Sequence, residues 1–222
     1  MTIFTIEQLL VEKTKGITSG TPVALPKGVR RTRENIFGIL PLLKNKQRYV
    51  IQTEPMRVKA GRCVYKRGDH RYLLLLNLDH TELACQQLLE ALNVFESWFC
   101  ERSKGNLEEL AFTESKHISI THVLGSSVTL RLHIKLVDGV PISQIFDHTI
   151  KDHLVVQSAE ELEEMFIEGL WVRLTIALES AWYSIGSYGV IQVLDAIEHG
   201  PAPSNRCLKK KQEEPQSMVI EI

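Results

Sequence analysis

The residues of this chain most able to do chemistry are its eight histidines and four cysteines. His148 and His153 stand in DHTIKDH. Their five-residue spacing does not put them on one helix face, whereas a zinc-binding helix spaces its histidines by four. They read as a solvated loop or helix end. His117-Ile118-Ser119 matches the His-x-Ser element of strand-borne histidines that act on phosphodiesters, a chemistry that needs a second copy as the other acid or base. His133 is followed by Ile134-Lys135 and His80 by Thr81-Glu82, so there is no second copy. Cys63, Cys85, Cys100 and Cys207 form no CxxC and read as reduced thiols of a cytoplasmic compartment. No GxxxxGK[ST], GxGxxG or GxSxG occurs. The expectation is a protein that is not an enzyme, with no cofactor and no metal.

Cations give a stronger signal. Residues 26–75 hold thirteen Lys or Arg against three acids, and residues 76–222 hold eleven against twenty-two. Arg48, Arg57, Lys59, Arg62, Lys66, Arg67 and Arg71 interleave with Tyr49, Tyr65 and Tyr72, the mixture that phosphate contacts and base stacking use. A solvated sheet face would also hold such residues, and folding could interleave the two halves and cancel the field. Acids cluster at Glu160, Glu161, Glu163 and Glu164, so the basic face of one copy could instead dock on the acidic face of the next. The favoured reading is a structural subunit of an oligomeric particle, such as a ring or collar of a virion or phage tail. The alternative is a single-stranded nucleic-acid-binding protein using residues 48–72. The pI near 6.7 and the lack of a named nucleic-acid motif count against the second.

Several elements must position these residues. Thr5 and Gln8 cap a short helix that Gly16 stops. Residues 16–35 carry prolines, glycines and a basic cluster without periodicity, so residues 1–35 read as a helix plus extended arm. Gln47 to Leu78 reads as a three-stranded meander with a bulge at Gly61, where the alternation changes phase. The four successive leucines of RYLLLLNL suggest a strand at the sheet centre. A capping box at Asp79 and Glu82 opens a helix whose stripe is Leu88, Leu92, Phe95 and Phe99, closed at Lys104-Gly105. Lys116 to Val137 reads as a hairpin centred on Ser126, pairing Thr121 with Arg131 and Ser119 with His133.

From Ser158 to Gly186 the pattern reads as a second long helix, capped by Ser158 and Glu161 and apolar around most of its circumference. Val190 to Ile197 is a last strand, and residues 201–222 have tail composition. The expected fold is α+β: a mixed or antiparallel sheet, meander plus hairpin, covered by two long amphipathic helices within a 36–200 core. Glu7 and Glu12 interrupt the only N-terminal apolar stretch, and no apolar run approaches the roughly 18 residues of a membrane span. A cytoplasmic protein, or one assembled into a virion, is therefore expected, with no membrane partner.

Overall fold

The computed structural model describes residues 3–20, 36–66, 71–138 and 140–200. Its first part runs β1 (Ile3–Thr5), α1 (Ile6–Glu12), β2 (Ile17–Ser19), β3 (Ile36–Lys44), β4 (Gln47–Gln52), β5 (Met56–Lys66), β6 (Arg71–Asp79) and α2 (Leu83–Glu109). There follow β7 (Lys116–Ile118), β8 (Thr121–Leu124), β9 (Ser127–Val137), β10 (Val140–Pro141), β11 (Gln144–Asp147) and β12 (Asp152–Leu154). The chain continues through α3 (Ala159–Glu164), β13 (Trp171–Ser184) and β14 (Ser187–Gly200).

The second long helix does not form, which overturns the expected α+β layering. Ser158 does cap α3, its Oγ accepting from Glu161 N at 3.2 Å, but the helix ends after six residues. Gly169 then takes φ +87°, and the next fourteen residues are strand. Val172, Thr175 and Ile176 are β-branched, and Trp171, Trp182 and Tyr183 are aromatic, the types that favour a pleated backbone. Alternation is hidden because β13 is buried on both faces in its middle and carries two register shifts against β14, at Thr175/Ile176 and Leu178/Ser180. The molecule is mostly one large mixed sheet with a single long helix among the described residues.

Five strands of that sheet close on themselves. β5 pairs antiparallel with β6 and β6 with β9; β9 meets β14 in parallel at His133 and Val193. β14 pairs along its length with β13, and β13 returns to β5 through Trp171 with Arg57 and Val172 with Met56. The order around the barrel is first, second, third, fifth, fourth, with third and fifth parallel, which is the strand order of the OB-type Greek-key barrel. The interior holds Met56, Val58, Leu74, Leu76, Leu130, Leu132, Ile134 and Leu174, all 0% exposed.

The expected meander is only partly present, since β4 pairs with β1, β3 and β13 rather than with β5. The bulge falls at Lys59, between the pairs Val58–Leu78 and Ala60–Asn77. Gly61 answers to a different demand: a Cβ there would lie 2.4 Å from that of Phe166, which crosses β5 just after α3. Past Val58 the free edge of β5 is met by α3, where Glu163 Oε2 accepts from Cys63 N at 2.6 Å.

The single long helix buries Leu88, Leu92, Phe95 and Phe99, as its spacing requires, but runs through Gly105 to Glu109. Asp79 does not box with Glu82; its Oδ1 accepts from Thr81 N and Oγ1. The hairpin register also differs. Thr121 pairs with Leu130 and Val123 with Val128 around Gly125–Ser126, one residue from the expected pairing. The even positions of β9 are buried as expected, but Ile118 is 40% exposed and belongs to β7, which pairs with β14. The break lies at Ser119–Ile120, where Glu96 accepts from Ser119 Oγ at 2.8 Å and Ile120 N at 2.6 Å, so parity is not carried across it.

Candidate nucleic-acid interface

The outward rows of the barrel follow from the register. Arg62 on β5 faces Leu75 on β6, and Leu75 faces Arg131 on β9. The next row runs Val64, Leu73, His133 and then Val193 of β14. Leu74, Leu76, Leu130 and Leu132 fill the barrel, so Arg62, Leu73, Leu75 and Arg131 are left to the outer side. Arg62 and Val64 are exposed; Leu73, Leu75 and Arg131 are half-buried. Among the described residues neither arginine has an ion-pair partner.

The other described cations of the basic stretch are compensated. Arg48 makes a bidentate pair with Asp195, 2.6 and 2.9 Å, and lies 3.7 Å from Glu179, which also holds Lys135. Arg57 Nε lies 3.3 Å from Glu82, and Lys59 Nζ reaches Asp79 at 3.5 Å and the Ser126 carbonyl at 2.9 Å. The side chains of Lys66 and Arg71, and all of Arg67, lie outside the described residues. Folding therefore brings Arg48, Arg57 and Lys59 against acids of the acidic half within one chain.

Tyr49 and Tyr72 do not share this face. Tyr49 is 2% exposed, packed between Phe4 and Phe95, and burial, with Glu12 adding, holds its phenol well above the usual value. Tyr72 packs against the core, and the side chain of Tyr65 is outside the described residues. Sequence reasoning passed over Arg131, Leu73 and Leu75 as a site; the signal was the odd parity of Arg131 on a strand whose even positions are core.

The acidic cluster is also used internally. Glu163 caps Cys63 N, and Glu161 Oε2 accepts from Gln157 N at 2.8 Å; Glu160 and Glu164 are exposed. Burial, then the charges of Glu163 and Glu160, push the Cys63 thiol up to about 12. The acids at 160–164 make no ion pair with the basic stretch among the described residues, so nothing here supports the particle-subunit reading.

His117, His148 and His153 all pack against aromatic rings. His117 sits against Phe99 and Tyr188, ring centroids 5.8 and 5.4 Å away, its Nε2 3.8 Å from Glu96 Oε1. Burial lowers its pKa below 6.5 and Glu96 partly opposes this. With the folded value depressed, the unfolded chain takes the proton first. The contribution of His117 to stability is complete above about 6.5 and is lost as pH falls through the folded value. Denaturant midpoints at pH 7.5 and 5.5 check this: His117→Phe is expected to lose less stability over that drop than the wild-type chain. His148 and His153 both lie edge-on to Phe146, and no described group of three or more His, Cys, Asp or Glu is arranged to hold a metal. No described helix is long and apolar enough to cross a membrane.

No family model matches the sequence, and no curated protein matches it significantly. Solved structures with a related arrangement include gp2.5, a single-stranded DNA-binding protein encoded by bacteriophage T7. It shows 8% identity and a TM-score of 0.44 over 78% of this chain and 100% of that one. They also include the single-stranded DNA-binding protein of bacteriophage Enc34 in complex with single-stranded DNA, with 12% identity, TM-score 0.42, and 85% and 96% covered. A C-terminal truncation of the Enc34 protein gives 10% identity and TM-score 0.39 over 82% and 96%. At such scores the likeness is confined to a rough arrangement of strands.

Proposed function

We propose that this protein binds single-stranded nucleic acid on the outer face of β5, β6 and β9. The observation that carries the reading is the row Arg62–Leu75–Arg131: two cations without ion-pair partners among the described residues, in register across adjacent strands with an apolar side chain between them. Two strand spacings separate their backbones by roughly 9–10 Å. Cations so placed suit a phosphate backbone, and Leu73, Leu75 and Val64 offer surfaces on which unpaired bases, but not a closed duplex, can lie. In sequence, Lys66 ends β5, Arg71 begins β6 and Arg67 follows Lys66. Barrels of this strand order commonly bind oligonucleotides on their second and third strands, here β6 and β9; this is analogy of fold and supports the reading only as such.

Fluorescence anisotropy of a labelled oligothymidylate across a salt series tests it. Two phosphate contacts alone give a slope of log affinity against log salt of about −1.4, steeper if Lys66, Arg67 and Arg71 add contacts. A matching duplex is expected to bind more weakly. Binding that is absent at low salt, or indifferent to salt, would sink the proposal.

A further inference from the structure

The proposed face lacks a Phe, Tyr or Trp ring among its described residues, yet the barrel carries part-exposed rings of those types elsewhere on its outer surface. β12, β11, β14 and β13 lie side by side, and their register places His153, Phe146, Glu198 and Arg173 in one row. The neighbouring row contains Gly200, Trp171 and Arg57. His148 packs over Gly200, where a Cβ would lie 2.8 Å from that of His148. Ile145 beside Phe146 and Val172 beside Trp171 are buried at 1% and fill the core, so Phe146 and Trp171 stand half-exposed outside it.

Charge and shape agree with a planar ligand. Arg57 lies over the Trp171 ring, its Cζ 5.3 Å from the centroid. His148 and His153 meet Phe146 edge-on, centroids 4.9 and 5.2 Å away, and leave a groove of about 320 Å³ beside Phe146, Gln144 and Glu198. Glu198 neutralises Arg173 at 3.4 Å and meets His148 at 3.1 Å, while Glu82 meets Arg57. With these cations engaged, this surface is poorly placed to attract phosphate and well placed to stack flat rings. β5 links it to the proposed face: Arg57 and Arg62 are five residues apart, about 17 Å along the strand.

We propose that Trp171 and Phe146 form a base-stacking subsite for the same single strand that Arg62 and Arg131 hold by its phosphates. This rests on the function proposed above, and it supplies stacking where that face supplies charge. Stacking and charge separate on salt. In anisotropy titrations, Phe146→Ala with Trp171→Ala is expected to lower oligothymidylate affinity about tenfold to a hundredfold at every salt concentration, leaving the salt slope unchanged. The pair Phe146→Leu and Trp171→Leu keeps the apolar volume without the rings and is expected to show the same loss, so a folding defect in the Ala pair does not decide the result. Trp171→Phe keeps a ring and is expected to retain most of the affinity. Wild-type affinity in the Leu pair, with a salt-dependent wild type, overturns the subsite and leaves the phosphate face standing. A wild-type chain that binds no oligonucleotide overturns both.

Discussion

Reversing Arg62 and Arg131 together to Glu is expected to abolish oligonucleotide binding at moderate salt. Both guanidinium groups are uncompensated among the described residues, so their removal takes away attraction rather than a neutral ion pair, and the new carboxylates repel the strand. The milder double change to Ala is the quantitative version: the salt slope should fall by about 1.4, two phosphate contacts' worth. Arg48 provides the internal control. It is held by Asp195 and Glu179, so Arg48→Ala should leave the slope near the wild-type value while exposing two acids to each other. Because Arg62 is exposed, the Ala pair should unfold at nearly the wild-type denaturant concentration. A double reversal that still binds with the wild-type slope would place the interface elsewhere on the molecule.

Leu174→Ala should cost about 2–5 kcal/mol of unfolding free energy, read from the denaturant midpoint at unchanged m-value. Leu174 is 0% exposed inside the barrel, paired with Ile197 of β14. Its backbone is held as well: Leu174 N donates to Thr53 Oγ1 at 2.9 Å, and its carbonyl accepts from Thr53 N at 2.9 Å. The truncation leaves that pairing in place and empties only the side-chain volume, so the loss reports packing. Against a typical domain stability of about 5–15 kcal/mol, it is a large fraction of the whole. A loss below about 1 kcal/mol would mean that the barrel interior collapses around the gap, contrary to close packing.

These residues show where the sequence was legible. α2 could be read because its buried residues recur at one helical period on a strongly polar background. The even positions of β9 could be read because one face alone is buried. β13 could not, since Ile176, Ala177 and Leu178 are successive and all buried, which removes the period-two signal. What remained was Gly169 and a richness in aromatic and β-branched residues, a weaker cue than the capping box that opens the segment. In the site, Arg62 stood out by charge, but its partner Arg131 lies sixty-nine positions away and is joined to it only through β6. Nor does a linear charge count show that Arg48 is spoken for by Asp195, 147 residues downstream.

The placement of β13 and β14 at the end of the described residues has a consequence for biosynthesis. β5, β6 and β9 can pair as soon as the ribosome has released them, but both seams that close the barrel belong to the last two strands. Closure therefore waits until translation has passed Gly200. Until then β8 covers part of the β9 edge and α3 meets part of the β5 edge, but the rest of both edges and the leucine-rich inner side stand uncovered by β13 and β14. Contacts that span so much sequence make for slow folding, and such an intermediate is a natural client for chaperones.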